Sequence, residues 1–336
     1  MTESTITPQQ AGFSQVLRSI WAGIKKIPPV YPVFFIIFIV LGLLNHSKYQ
    51  TIPGIMTFLR TAAPLAILAI GEMFVLALGG FDLSVGAIVT FVVLVSSKLL
   101  ANDPKNAFPA IMIMLGFGVA IGLVNGLVVS YLKVPSFIAT LGMMLLVRGG
   151  ALYWVGGAPQ GYLTDNWRAF GRNYIQNVPL FGRVPYALII LIVITIIAYY
   201  LFHRSHYGRQ ILAIGDNVRA SQLSGVRVKL VRVFTFIICS VFAIIAGVMI
   251  GGYGGVNVTI GEGLEMTSIA GCVVGGVLLG GGKGNVFNAI FGAFTLQAIV
   301  NLLNLLGLPK PYTDAVQGLL IIGAVAYVGL TSMRKR

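Results

Sequence analysis

Long apolar stretches, separated by short polar or glycine- and proline-containing breaks, follow one another along nearly the whole chain. A helix needs about 20 apolar residues to cross the roughly 30 Å of bilayer hydrocarbon. By this criterion the pattern predicts ten membrane helices, at residues 27–44, 61–79, 84–100, 109–131, 136–155, 185–202, 231–252, 266–281, 284–306 and 313–330. The predicted fold class is therefore an all-α integral membrane protein with about ten transmembrane helices.

Proline or glycine interrupts the pattern at three places. Pro64 lies in the second predicted helix, Gly79 and Gly80 separate the second from the third, and the glycines 280–282 end the eighth. Proline removes a backbone donor from a helix. Non-helical backbone at membrane depth is tolerated only where protein or a water-filled cavity surrounds it. We therefore expect broken or re-entrant helices at these places.

Polar segments at both ends of the chain complete the predicted organisation. Residues 1–26 are polar and carry Lys25 and Lys26 directly before the first apolar run, so they are predicted to form a cytoplasmic tail without a cleavage site. Residues 27–330 form the transmembrane domain, and residues 331–336 form a basic cytoplasmic tail. With both termini in the cytoplasm, more than half of the 23 Lys and Arg residues fall in cytoplasmic segments, as the positive-inside rule requires.

The chain also aligns with itself. Residues 124–144 match residues 300–320 without gaps, and seven positions are identical. The matched pieces are the fourth and fifth predicted helices against the ninth and tenth, and a shift of five helices reverses the direction in which each helix crosses the membrane. Many transporters contain such inverted repeats. We therefore predict an inverted internal repeat, for which two helical hairpins with similar breaks are the alternative.

Composition agrees with the hydropathy pattern. Only 10% of the residues are charged, against about a quarter in soluble domains, and the mean hydropathy is +0.91. The net charge of +14 comes from basic residues dispersed between the apolar stretches. We therefore expect the lipid bilayer and not nucleic acid as the partner of these residues. Cys239 and Cys272 both lie in apolar stretches and are interpreted as packing residues.

The sequence lacks the usual patterns of a catalytic or nucleotide-binding site. The three histidines, His46, His203 and His206, stand at the ends of predicted helices, so none is available inside the membrane as a base or metal ligand. The nearest match to a phosphate-binding loop has Gly284 where Ser or Thr must bind Mg²⁺. We therefore predict no enzyme activity, catalytic residue, metal site or cofactor in this chain, and expect ATP and Mg²⁺ on a partner ATPase if ATP drives it.

Polar side chains inside or next to predicted membrane helices are the candidate functional residues. They are Glu72, Asp82, Ser84, Asn125, Arg148, Glu265, Gln297 and Asn301. Polar groups are costly at membrane depth, so each is a candidate functional residue, and hydrogen bonding between helices is the structural alternative. Glu72 and Arg148 are candidates for an ion pair, and the Asp82 carboxylate is expected to cap the helix that follows the glycine break.

Residues 203–232 form the longest predicted cytoplasmic loop. Its small residues are Ala213, Gly215, Ala220, Ser224 and Gly225, and its charged residues include Arg209, Asp216 and Arg219. A small-sided surface beside charges suits a short helix that docks in a groove of a partner protein. A basic loop that rests on anionic lipid head groups is the alternative interpretation.

Four segments of the sequence resemble the monosaccharide-type permeases of bacterial ABC importers, a family that serves sugars of the ribose, xylose and galactose type. The segments are 79–86, 134–142 with Arg148 and Gly149, 207–226, and 264–284. They occur in the expected order and span most of the chain.

The resemblance implies a permease fold similar to that of the cobalamin-type importers and a location in the bacterial inner membrane. The implied partners are a cytoplasmic ABC ATPase, a second permease subunit that is a copy or a paralogue, and a periplasmic sugar-binding protein. The transported solute would be a monosaccharide or a related polyol. The segment 203–232 resembles the coupling region that engages the ATPase, with candidate contacts at Gly208, Arg209, Ala213, Gly215, Asp216, Asn217, Ala220, Ser224 and Gly225.

The candidates inside the membrane divide into two groups under this interpretation. A sugar needs many weak hydroxyl partners, so the expected pathway residues are Ser84, Asn125, Gln297, Asn301 and Glu265. The expected structural or gating residues are Glu72, Asp82, Arg148, Gly79 and Gly80. The alternative function is an ion-coupled secondary transporter of a small polar solute, in which Glu72 or Glu265 would carry a proton.

Overall fold

The computed structural model describes residues 28–100 and 102–309, together with residues 311, 312, 314–316, 318, 319, 322 and 323. The predicted amino-terminal tail 1–26, the basic tail 331–336 and much of the tenth predicted helix, 313–330, lie outside the described residues.

Helices make up most of the described chain. In chain order they are α1 (Val30–Leu44), α2 (His46–Tyr49), α3 (Ile52–Ala77), α4 (Val85–Leu99), α5 (Ala107–Tyr131), α6 (Ser136–Val155), α7 (Asp165–Arg172), α8 (Tyr186–Tyr199), α9 (His206–Asp216), α10 (Val218–Leu223), α11 (Val228–Gly254), α12 (Leu264–Val274) and α13 (Val286–Leu305). A 3₁₀ turn (Pro104–Asn106) precedes α5, and a π turn (Tyr200–Arg204) continues α8. The strands β1 (Tyr174–Val178) and β2 (Gly182–Pro185) form an antiparallel hairpin that the sequence analysis did not predict.

The predicted all-α membrane class is confirmed, and the number of spans is established only in part. Six described helices are long and apolar enough to cross a membrane, namely α3, α5 with its preceding turn, α6, α8 with its π turn, α11 and α13. The apolar helices α1, α4 and α12 are shorter. These nine helices correspond in order to the first nine predicted ones. The tenth helix, the inverted repeat and the likeness to cobalamin-type importers stay predictions.

Helix α3 begins earlier than predicted and runs through its proline. Thr51 caps it by accepting a 3.3 Å hydrogen bond from the Gly54 N–H, so the helix starts at Ile52 rather than at residue 61. Pro64 is buried inside the helix, which continues to Ala77. The predicted break at Pro64 is wrong, because packing against neighbouring helices stabilises a membrane helix across a proline.

The two glycine breaks are present. Residues 78–84 are not helical, and Gly79 has a φ of 86°, a left-handed conformation that glycine adopts readily. Helix α12 ends at Val274, before the predicted end at residue 281, and Gly276 follows with a φ of 81°. With 11 residues α12 is about 16 Å long, so it can reach only partway across a bilayer.

Helices α5 and α11 approach each other along a row of glycines. Gly118, Gly122 and Gly126 lie one turn apart on α5, and all three face α11. A Cβ atom on Gly122 would lie 2.5 Å from the Ile237 Cα, and one on Gly126 would lie 2.6 Å from the Val233 Cα. Small residues at this spacing allow membrane helices to pack closely. The motif is readable in the sequence, but the sequence analysis missed it.

The helix bundle has two different ends. The hairpin face consists of α7, β1, β2 and the neighbouring ends of α4 and α6; there Ser97 Oγ donates a 2.8 Å hydrogen bond to the Gln160 carbonyl oxygen. The loop face consists of residues 203–227 with the end of α3 and the start of α11. Between the two faces, α3 and α11 are the most buried of the long helices.

Candidate functional site

A cluster of buried polar side chains lies at the break between α3 and α4. Asp82 and Ser84 are fully buried. Ser84 donates two hydrogen bonds to Asp82 Oδ1, one of 2.5 Å from its hydroxyl and one of 2.9 Å from its backbone N–H. Asn125 Nδ2 on α5 donates a 3.1 Å hydrogen bond to Ser84 Oγ. The Ser84 hydroxyl therefore links the Asp82 carboxylate to α5.

Glu72 belongs to the same buried cluster. Its Oε1 accepts a 3.1 Å hydrogen bond from the Asp82 N–H, and its Oε2 lies 3.8 Å from the Cys239 thiol on α11. The predicted ion pair between Glu72 and Arg148 is wrong. Arg148 instead lies 3.6 Å from Glu262, because it stands near the hairpin face, whereas Glu72 points into the interior between α3 and α11.

Asp82 does not cap α4 in the predicted way. Ser84 occupies the cap position, without a side-chain hydrogen bond to the first turn, and the helix begins at Val85. The Asp82 carboxylate binds the N–H of Ser84, just before the helix. Asp82 Oδ2 is buried and has no hydrogen-bond partner within the described chain.

Two hydroxyl side chains of α6 accept hydrogen bonds from the backbone of the non-helical segment 78–84. Ser136 Oγ accepts a 3.1 Å hydrogen bond from the Phe81 N–H, and Thr140 Oγ1 accepts one of 3.1 Å from the Leu83 N–H. Thr140 in turn donates a 2.8 Å hydrogen bond to the Ser136 carbonyl oxygen. Two hydroxyls therefore satisfy backbone donors that no helix satisfies here.

The end of α3 also contacts the glycine segment that follows α12. The Gly282 N–H donates a 2.9 Å hydrogen bond to the Ala77 carbonyl oxygen. A Cβ atom on Gly215 of α9 would overlap this oxygen, and a Cβ atom on Gly281 would lie 2.8 Å from the Gly215 Cα. All four segments that carry the family resemblance therefore meet around the end of α3.

Residues 203–227 form two short helices on the loop face. Ser205 Oγ accepts a hydrogen bond from the Gly208 N–H at the start of α9, and Asn217 Oδ1 accepts one from the Ala220 N–H at the start of α10. The candidate residues for the ATPase contact differ in their exposure. Gly208 is buried and Gly215 faces its own chain. The exposed candidates are Arg209, Ala213, Asp216, Asn217, Ala220, Ser224 and Gly225.

Leu223 is a residue of this surface that the sequence analysis missed. It ends α10 and is 84% exposed. A leucine between small and polar residues, in a segment too polar to enter the membrane, was a readable signal.

Tyr207 of α9 forms a hydrogen bond with α11. Its hydroxyl forms a 2.8 Å hydrogen bond with Thr235 Oγ1, and burial raises the pKa of the Tyr207 phenol above its ordinary value. This side-chain hydrogen bond therefore joins α9 to α11.

Two polar cavities lie toward the hairpin face. The arginine cavity, of about 230 Å³, is lined by Gly86, Thr90, Arg148, Glu262 and Glu265, among others. The glutamine cavity, of about 390 Å³, is lined by polar side chains that include Thr61, Tyr253, Thr259, Glu262, Gln297 and Asn304. Glu262 lines both cavities, although the sequence analysis did not select it.

The expected pathway residues divide between these cavities and the interior. Glu265 lines the arginine cavity and Gln297 the glutamine cavity. Asn301 lies one turn beyond Gln297 and accepts a 3.1 Å hydrogen bond from its Nε2. Ser84 and Asn125 are buried in the polar cluster instead. In the described part of the chain, no three His, Cys, Asp or Glu side chains come together as metal ligands.

Comparison with known proteins gives a family match over most of the chain. Residues 54–325 match the family model for the permease component of the branched-chain amino acid transport system. The ribose import permease protein of Escherichia coli (strain K12) is 34% identical over 280 residues, which are 83% of this chain and 86% of that protein.

Two further relatives come from other bacteria. The ribose import permease protein of Bacillus subtilis (strain 168) is 34% identical over 307 residues, 90% of this chain and 92% of that protein. The autoinducer 2 import system permease protein of Salmonella typhi is 32% identical over 294 residues, 87% of this chain and 82% of that protein. No solved structure matches the chain.

Proposed function

Because the chain belongs to the sugar ABC permease family, we propose that it translocates a monosaccharide or a related polyol across a bacterial inner membrane. Members of this family are the membrane-spanning subunits of importers. ATP and Mg²⁺ would therefore be bound by a separate ATPase chain. The names of the relatives, which refer to ribose and autoinducer 2, support a small polyhydroxylated solute.

The proposed mechanism rests on one observation. The loop face directly contacts the end of α3, where the non-helical segment 78–84 begins. Helix α9 packs through Gly215 on the end of α3 and on the segment after α12. The break at 78–84 begins one residue beyond Ala77 and leads into the buried polar cluster. A displacement of α9 by an ATPase would therefore move backbone at the centre of the bundle, which is what ATP-driven transport requires.

The exposed surface of α9 and α10 is the proposed ATPase contact. It combines the small side chains of Ala213 and Ala220 with the exposed Leu223 and the charged Arg209 and Asp216. An apolar anchor surrounded by small and charged residues suits a helix that enters a groove. This assignment makes the loop face cytoplasmic and is consistent with both termini in the cytoplasm. The hairpin face would then receive the sugar-binding protein, and a second permease subunit would complete the channel.

Solute contact is assigned to the two polar cavities. Gln297, Asn301 and Glu265 line them or hydrogen bond to a residue that does, and each offers the amide or carboxylate groups that bind sugar hydroxyls. Ser84 and Asn125 satisfy each other in the interior, so we assign them to the polar cluster rather than to the cavity walls.

Ala220→Trp tests the proposed ATPase contact. A bulky side chain on this exposed small surface should abolish co-purification of the ATPase and reduce ATP-dependent sugar uptake at least tenfold. Ala158→Trp, at an exposed position on the hairpin face, is the matched control and should leave ATPase binding unchanged.

The uptake assay also tests the alternative function, an ion-coupled secondary transporter. Uptake that continues without any ATPase and collapses with the proton gradient would refute the ATP-driven function. In that case Glu265, which lines the arginine cavity, would be the first candidate proton carrier.

A further inference from the structure

A third cavity, of about 390 Å³, opens near the loop face and contains two cationic side chains. We call it the basic cavity; its walls include Gly79, Gly80, Lys133, Ser136 and Arg232. Its volume is within the roughly 300–1,000 Å³ typical of small-ligand pockets. It shares no lining residue with the arginine and glutamine cavities. It is therefore separate from the proposed solute contacts.

The two charged residues that line the basic cavity are both cationic. Lys133 lies in the link between α5 and α6, and Arg232 lies near the start of α11. None of the lining residues carries a carboxylate. The two ion pairs found among the described residues, Arg148 with Glu262 and Arg172 with Asp165, do not involve either cation.

Further positive charge surrounds this cavity. Lys229 Nζ lies 4.7 Å from the centre of the Tyr131 ring, two residues before Lys133. The first turn of α6, which starts at Ser136 without a side-chain cap, forms part of the wall and adds its partial positive charge. A cavity with two unneutralised cations and a third nearby favours an anionic ligand, because bringing the cations together is otherwise unfavourable.

Exposed apolar side chains adjoin two of the residues that line the basic cavity. Leu132 is 71% exposed and precedes Lys133, and Phe137 is 50% exposed and follows Ser136. In a membrane protein such side chains face hydrocarbon. Basic pockets between membrane helices with apolar surroundings bind the head groups of anionic lipids.

We propose that the basic cavity binds a phosphate group, with Lys133 and Arg232 as its charged ligands. Ser136 lines the same wall and offers a hydroxyl within the cavity. The exposed apolar side chains beside the cavity make the head group of an anionic phospholipid the source, with the acyl chains lying over Leu132 and Phe137. A bound head group would bridge α11 and the α5–α6 link, next to the glycine break.

The test measures lipid retention by the purified full-length chain with native mass spectrometry, using phosphatidylglycerol as the probe and phosphatidylcholine as the zwitterionic reference. Lys133→Gln with Arg232→Gln should weaken phosphatidylglycerol binding at least tenfold, since hydrogen bonds to charged groups contribute strongly to affinity. Lys105→Gln with Arg172→Gln, which removes the same charge from the hairpin face, should change it less than about twofold, as expected for exposed charges.

Two additional measurements keep the result interpretable. Lys133→Arg with Arg232→Lys preserves the charge and should restore binding, which separates loss of the site from misfolding. Equal phosphatidylglycerol binding by the Gln pair and the control pair would refute the site. So would equal binding of the two lipids to the unaltered chain. Displacement of the lipid by millimolar inorganic phosphate would keep the phosphate site but refute the membrane as its source.

Discussion

The backbone N–H of Gly282 donates a 2.9 Å hydrogen bond to the carbonyl oxygen of Ala77, although the two residues are far apart in the sequence. This bond joins the end of α3 to the glycine segment after α12. Gly215 of α9 packs against the same oxygen. At this point α9, the end of α3 and the glycine segment therefore meet backbone against backbone, with no side chain between them.

Gly215→Leu should separate α9 from the end of α3. A side chain at this position overlaps the Ala77 oxygen and has no flexible neighbour to displace, so we expect about 1–3 kcal/mol of destabilisation and loss of uptake. Thermal unfolding and sugar uptake are the two measurements. Ala213→Leu on the exposed side of α9 is the control and should leave the melting temperature unchanged. Equal melting temperatures for the two variants would contradict the packing described here.

Gly122→Leu should disrupt the contact between α5 and α11. The Ile237 backbone lies 2.5 Å from where a Cβ atom would be, so the helices must separate to accept any side chain. We expect little monodisperse protein after extraction in detergent. Gly116→Leu, on the same helix with open space around it, should yield as much protein as the unaltered chain. Similar losses in both variants would mean that added bulk anywhere on α5, and not the contact with α11, is responsible.

Ser84→Ala should destabilise the buried polar cluster. The substitution removes the donor to Asp82 and leaves Asn125 without its acceptor, at a cost of about 1–3 kcal/mol in the free energy of unfolding. Ser96→Ala in α4, the helix that Ser84 precedes, is the control, because the Ser96 hydroxyl is buried without a partner in the described chain and its removal should be nearly neutral.

A double-mutant cycle with Asn125→Ala tests whether the two side chains act together. We expect an interaction free energy of roughly 0.5–3 kcal/mol between the substitutions. Additive effects, combined with an increased KM for sugar in the Ser84 variant, would instead favour direct contact of Ser84 with the solute.

Exchanging the charges of Arg148 and Glu262 should preserve transport better than changing either alone. Both side chains are about half exposed, so the pair contributes at most about 1 kcal/mol to stability. Its position between α6 and the link before α12 predicts an effect on uptake, which each single reversal should reduce. The exposed pair of Arg172 and Asp165 is the matched control for stability, and its reversal should leave the melting temperature unchanged. Uptake that remains normal in the single Arg148 reversal would exclude a role for the pair in transport.

Several features of the fold could be predicted from the sequence because they depend on local composition. Apolar length identified nine helices, and the glycines at 79 and 80 marked the end of α3. The break predicted at Pro64 was wrong, because the pattern along one helix does not record the neighbours that bury Pro64. The hairpin of β1 and β2 escaped prediction because its strands are too short to give a clear alternating pattern.

The sequence predicted which residues belong to the candidate site but not which of them contact one another. Polarity at membrane depth selected Glu72, Asp82, Ser84 and Asn125, and the structure brings all four together. The same argument paired Glu72 with Arg148, although Glu262 is the actual partner of Arg148. Opposite charges in a sequence do not reveal which helix faces which.

The sequence by itself determined that this is a membrane protein, because hydropathy decides which segments can leave water for the bilayer. The resemblance of its motifs to a known family indicated the family. Only the tertiary structure decided which polar groups meet, which glycines are contacts rather than exposed surface, and where two cations share a cavity. These properties depend on distances between residues remote in the chain. Such distances arise when helices pack, so no local pattern contains them.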